Sequence, residues 1–289
     1  MTFAHTYLMC LPKYFEVSYV INHWMALHQG ICTDRALQQW QRLYEVVSER
    51  ADVKLVEPQP GLPDMVFTAN AGLMFDNKVM VSRFLHPQRT GEERHFQNWF
   101  SANQFQVHKT PTGLNFEGAG DALLDRSETL LWMGWGYRSA RAAQAHLSDY
   151  FDLEVVPLRL VDERFYHLDT CFCPLSGGYL MYYPAAFDEH ARRVIAQRVP
   201  RNKRIAVSER DAVTFACNAV NIDDLVIVNR ISDELRRELY AAGFEVAQTD
   251  LSEFLKAGGG SKCLTLRLDE PRFQQIGFED RCSSAVMVA

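Results

Sequence analysis

The sequence lacks the signatures of several large functional classes. It has no long basic run and no zinc-finger spacing, which argues against nucleic acid as a partner. No stretch approaches the ~18 apolar residues of a membrane helix, so no membrane is expected either. The first ten residues carry no basic segment followed by an apolar core, so they do not read as a secretion signal. Seven cysteines form an odd set without disulfide-framework spacing, which points to reduced thiols in a cytoplasmic protein. There is no linker rich in Pro, Gly or Ser and no low-complexity tract. The 289 residues, 47% hydrophobic and 23% charged with a net charge of −6, allow one large domain or two small ones, and an internal repeat favours a single domain over 1–289.

What is present is a repeat of roughly 50 residues, passed through five times. Helices are expected over 34–50, 90–103, 139–151, 187–198 and 232–242. A short apolar strand follows each, at 53–57, 105–109, 153–158, 204–208 and 244–248. A second strand series begins at Lys78, Thr129, Gly178 and Leu225, at spacings of 51, 49 and 47, with 7–11 as its fifth member. In the first helix Leu37, Trp40, Leu43, Tyr44 and Val47 recur at helical spacing and predict the buried stripe. One such unit cannot bury its own apolar face, so the units must pack together. The irregular segment 13–33, with His23, Trp24 and His28, is a candidate lid or a packed N-terminal excursion.

In four of the five passes the strand after the turn opens on a chemically loaded residue: Asn70, Glu117 before Gly118 and Gly120, His167 with Asp169, and Cys263 after Gly258-Gly259-Gly260, with Cys217-Asn218-Ala219 at the remaining place. Closure of the repeat would bring them to one axis. Cys263 follows glycines that permit close backbone approach, adjoins Lys262, whose charge favours a thiolate, and precedes an alternating strand at 264–268; the other reading is a buried cysteine beside a flexible turn. The alternation of His167, Asp169, Cys171 and Cys173 reads as one face of a strand. Alternate strand residues lie ~6.5 Å apart, so those four cannot surround one metal. His167 is better read as an acid/base and Asp169 as a carboxylate for a cation, with Cys171 and Cys173 structural. The glycines near Glu117 lack dinucleotide-fingerprint spacing, and those before Cys263 lack phosphate-loop spacing. Asp64 is a turn former or a ligand. Arg89 and Arg138 suit a carboxylate or a surface ion pair. Together a nucleophilic Cys, a His and carboxylates suit a planar cation with an electrophilic carbon, such as a guanidinium.

The segment 63–72, the Glu117 turn, His167-Leu168-Asp169-Thr170 and Gly260-Ser261-Lys262-Cys263 resemble the guanidino-group-modifying superfamily of arginine deiminases, dimethylarginine dimethylaminohydrolases, amidinotransferases and arginine dihydrolases. The resemblance implies an α/β fold, the five-bladed propeller called pentein, built from pseudo-five-fold ββαβ repeats. It implies Cys263 as nucleophile, His167 as acid/base, and Glu117 and Asp169 holding the guanidinium and orienting His167. Asp64 and Asn70 would line the substrate end, and Arg89 and Arg138 would take an α-carboxylate. The implied partner is a small molecule, arginine or an N-substituted arginine; no metal and no organic cofactor is implied, and a homo-oligomer is compatible. Asn at position 70, together with Asn22, is more similar to arginine dihydrolases, which convert arginine to ornithine, ammonia and carbon dioxide. Dimethylarginine hydrolase, deiminase, amidinotransferase and a non-catalytic arginine sensor are the other readings.

Overall fold

The computed structural model describes residues 5–270. They form five three-stranded sheets, one for each pass of the repeat. The inner strands are Leu266–Arg267, Gly72–Phe75, Ala122–Leu124, Phe172–Leu175 and Val220–Ile222. Each runs antiparallel to a middle strand: Thr6–Cys10, Lys78–Val81, Leu130–Trp135, Tyr179–Tyr182 and Leu225–Val228 respectively. Each middle strand then pairs in parallel with an outer strand: Asp52–Val56, Gln106–Lys109, Glu154–Arg159, Arg204–Ala206 and Glu245–Gln248. A parallel pair needs a crossover, and a helix supplies it each time. The helices are Thr33–Ser48, Glu92–Ala102, Ala143–Phe151, Glu189–Arg198 and Asp233–Ala241. This is the five-bladed α/β propeller.

Burial grades along the radius. Inner strands such as Gly72–Phe75 are wholly buried, whereas outer strands such as Gln106–Lys109 are mostly exposed. Middle strands such as Leu225–Val228 are covered on both faces and read as unbroken apolar runs. The first blade joins both ends of the described chain, because Tyr7 and Leu8 pair with Arg267 and Leu266. That pairing closes the ring. Asp188 and Ser232 cap their helices by accepting the backbone N–H of Ala191 and Leu235.

Several expectations need correction. Leu37 is 45% exposed, and Ala36 and Val46 complete the buried stripe of the first helix in its place. Two helices start late: that expected over 90–103 at Glu92, after a separate short turn of helix at Pro87–Thr90, and that expected over 139–151 at Ala143, because Ser139 is drawn to Glu117 and Asp121. The alternation at 167–173 is not one strand. Leu168–Thr170 is a 3₁₀ turn in which Thr170 N–H donates to His167 O and Cys171 N–H to Leu168 O, and the strand begins only at Phe172. His167, Asp169, Cys171 and Cys173 therefore share no face. Likewise Cys263 precedes no long strand. It sits in a turn, with Leu264 N–H on Gly260 O, and only Leu266–Arg267 is extended. The polar residues of the repeat belong to these tight turns, not to the strands after them.

Candidate active site

Those turns converge on the axis, and hydrogen bonds link them blade to blade in a closed ring. Ala69 N–H donates to Cys263 O at 3.1 Å. Asn70 Nδ2 donates to Glu117 O at 3.2 Å. Glu117 Oε2 meets His167 Nε2 at 2.7 Å. Asn218 Nδ2 reaches Asp169 O and Cys263 Sγ, both at 3.1 Å. All five turns thus contribute, and Asn70, Glu117, His167, Asp169, Asn218 and Cys263 are all buried. Two glycines let the ring close. A Cβ at Gly120 would lie 2.2 Å from Asn70 Nδ2, and one at Gly260 would lie 2.9 Å from Asn218 Oδ1.

The sulfur of Cys263 is 3.5 Å from Asp169 Oδ2, which is placed to accept its proton. Burial and the neighbouring Asp169 charge push the thiol well above its ordinary pKa. The neutral thiol is therefore the resting form. Burial also raises Asp169, to about 7, against the opposing pull of Lys262, Cys263 and Asn218. Lys262 lines a small cavity with Arg126, Arg267 and Glu270, and desolvation there lowers its pKa. Its charge acts on both Asp169 and Cys263.

Glu117 behaves in the opposite way. Burial opposes its ionisation, but Arg138, His167 and Arg89 outweigh that and hold its pKa well below the usual carboxylate range. An ionised Glu117 thus presents its Oε2 to His167 Nε2. The expected joint orienting role of Glu117 and Asp169 is thereby divided: Glu117 meets the imidazole, and Asp169 faces the sulfur. Arg138 bridges Glu117 Oε2 at 3.2 Å and Ile21 O at 2.8 Å, and lies over the Tyr166 ring at 4.5 Å.

Arg89 is held on three sides. It donates to both oxygens of Glu92, each at 2.9 Å, to Asn70 Oδ1 at 2.9 Å and to Asp64 O at 3.1 Å. These contacts use four of the five guanidinium N–H donors. Asp64 Oδ2 accepts from Tyr19 at 2.9 Å, whereas its buried Oδ1 has no hydrogen-bond partner among the described residues. A buried carboxylate oxygen left in that state is an acceptor suited to a cationic ligand.

The segment 13–33 lies across this region and is irregular until the first helix begins at Thr33. Tyr19 reaches Asp64, Ile21 reaches Arg138, and Trp24 Nε1 donates to Arg164 O at 2.7 Å. Asn22 donates to Ala257 O at 3.0 Å and accepts from the N–H groups of Trp24 and Met25. Here Asn22 holds the segment in shape and ties it to the loop before Cys263.

Sequence reasoning assigned no role to Asp121 and Ser139. Ser139 Oγ accepts Glu117 N–H at 3.0 Å and donates to Asp121 Oδ2 at 2.6 Å. Asp121 Oδ1 in turn accepts Leu168 N–H at 3.0 Å, fixing the turn that carries His167. Asp121 falls next to a Gly-x-Gly turn, and that position was the only local signal for it.

Comparison with known proteins follows the same lines. The family model described as N,N dimethylarginine dimethylhydrolase, eukaryotic, matches residues 12–269. A bifunctional arginine dihydrolase/ornithine cyclodeaminase of Nostoc sp. is 55% identical over 273 residues, covering 94% of this chain but 39% of the relative. The chain thus spans about two fifths of that relative's length. The N(G),N(G)-dimethylarginine dimethylaminohydrolase of Mycobacterium tuberculosis is 38% identical, over 91% of this chain and 85% of the relative. Among solved structures, the substrate-bound N-terminal domain of the cyanobacterial arginine dihydrolase ArgZ superposes with a TM-score of 0.91 at 54% identity, covering 92% of this chain and 99% of that one. With a family model spanning nearly all its described residues and a relative matched along most of both chains, this chain belongs to the dimethylarginine dimethylaminohydrolase family of the guanidino-group-modifying enzymes.

Proposed function

We propose that this chain hydrolyses the guanidino group of arginine in two rounds at one site, releasing ornithine, two ammonia and carbon dioxide. The observation that carries this reading is the neutral amide of Asn70 in the buried ring beside Arg89 and Glu117. An amide offers both a donor and an acceptor, so it suits a cationic guanidinium first and a neutral ureido group second. The similarity to relatives named arginine dihydrolases supports the same reading.

The cation of the substrate enters between ionised Glu117 and the free oxygen of Asp64. Its charge offsets the burial that holds Cys263 as a thiol. The thiol proton passes to Asp169, and the thiolate forms a bond to the guanidinium carbon. His167, oriented by its contact to Glu117, acts as the general acid and delivers a proton to one terminal nitrogen. The C–N bond breaks, ammonia leaves, and an amidino-thioether remains. The imidazole, now neutral, takes a proton from water. The hydroxide adds to the same carbon, and the C–S bond breaks to regenerate the sulfur and yield a ureido group. A second round expels the other terminal nitrogen as ammonia. Water then cleaves the resulting thiocarbamate to a carbamate, which breaks down to the free amine and carbon dioxide.

Arg138 and the remaining donor of Arg89 are assigned to the α-carboxylate. Asn22 is assigned to the substrate end, through the segment it holds. The reading calls for no metal or organic cofactor. We take the propeller as a self-sufficient catalytic domain, since the site draws on all five blades. A cytoplasmic setting is supported by six cysteines outside any disulfide, Cys282 lying beyond the described residues. Among the described residues no helix is long and apolar enough to cross a membrane.

Product analysis by mass spectrometry tests the reading. Incubation with arginine is expected to give ornithine and ammonia, with dimethylarginine left largely intact. Citrulline and dimethylamine from asymmetric dimethylarginine, with arginine untouched, would replace it with the activity in the name of the matching family model.

A further inference from the structure

Asn218 lies in the fifth blade, at the place in the repeat that Asn70 occupies in the second. It is fully buried. Its Oδ1 accepts two backbone N–H groups of the nucleophile loop, from Gly260 at 3.1 Å and Cys263 at 3.0 Å. Its Nδ2 donates to Asp169 O and to Cys263 Sγ, both at 3.1 Å. An Asn side chain has two acceptor sites and two donor hydrogens, so every one is used. The orientation of the amide is fixed as well. Two N–H donors face one end, and a flipped amide would set N–H against N–H there. Asn70 uses one N–H in the same way, to bridge to the next blade at Glu117 O. Only Asn218 turns an N–H to the sulfur.

We propose that Asn218 is a positioning residue for the nucleophile, which holds the Gly260–Cys263 turn by its oxygen and stabilises the Cys263 thiolate by its N–H. This rests on Cys263 being the nucleophile. A donor aimed at sulfur favours the charged form once it appears, and it needs no reorganisation to do so. It also sets the lone pair opposite the donor, which restricts the direction of attack. Lys262 adds charge, whereas Asn218 adds a directed bond. Asn218→Asp keeps acceptors for both backbone N–H groups but faces the sulfur with an oxygen. Asn218→Ser is smaller and uncharged, with one hydroxyl in place of the amide.

The test is the pH dependence of alkylation by iodoacetamide, followed at the Cys263 peptide by mass spectrometry, beside steady-state kinetics and thermal melting. Iodoacetamide is neutral and no arginine is present, so this arm reports on Asn218 even if the dihydrolase reading fails. The inflection is expected to move up by about one pH unit or more in N218D. The kcat is expected to fall about 100-fold, with a smaller change in KM. N218S is expected to shift the inflection in the same direction, and it provides the measurement if N218D does not fold. An unmoved inflection in a natively melting variant would overturn the proposal, even with kcat reduced, because loop holding alone would then account for the residue.

Discussion

Replacing Cys263 by serine is expected to lower arginine turnover by about 10⁴-fold or more, equivalent to ~5.5 kcal/mol of barrier. The loss should fall on kcat. Serine is near in size, so the Asn218 and Asp169 contacts and the fold survive. The alcohol, however, does not ionise in a site whose burial already holds the more acidic thiol neutral. Substrate binding should persist, because Asp64, Glu117 and the two arginines are unchanged. Equilibrium binding of arginine with turnover absent, measured by calorimetry, would bear out that split. Activity within tenfold of the parent would remove Cys263 from the chemistry.

Asn70→Asp is expected to change the product. The carboxylate keeps the contact to Arg89 Nη1 but loses the donor to Glu117 O, setting oxygen against oxygen at a spacing of 3.2 Å. A buried acceptor left in that state costs about 1–3 kcal/mol. A negative charge helps the first, cationic substrate and does nothing for the neutral ureido group. The second round should therefore slow more than the first, by about 100-fold if it loses a directed donor. Citrulline should accumulate where the parent gives ornithine, and amino-acid analysis of the reaction would read the ratio directly. Ornithine at the parent's yield without citrulline would detach Asn70 from the two-round chemistry.

The repeat made most of this architecture legible, because period and apolar strand runs survive in sequence even where identity between blades does not. It placed Asn70, Glu117, His167 and Cys263 at equivalent points of the repeat, with Asp169 beside His167; that these points are turns, and that Asn218 completes the ring where they meet, comes from the structure. The conformation of the turns was not legible. At 167–173 the alternation mimics a strand, yet Asp121 from the third blade draws Leu168 N–H into a 3₁₀ turn. A bond formed across 47 positions leaves no local pattern. The same holds for Ser139, which looks like the start of a helix and instead links Glu117 to Asp121. Arg89 and Arg138 were readable as carboxylate binders. Their role in holding Asn70, Glu117 and the segment 13–33 is a matter of tertiary contact alone. Leu37 fits the helical period as well as Ala36 does, and only the neighbouring blade decides which is covered.

The most direct test of the central claim is acid quenching during turnover of arginine, followed by peptide mass spectrometry. The account predicts a mass increase on the Cys263 peptide equal to arginine less one ammonia, which decays as product forms. Turnover with the Cys263 peptide unmodified in the steady state and in rapid-quench samples of the first turnover, or an adduct that retains only the amidino carbon and its two nitrogens, would contradict it.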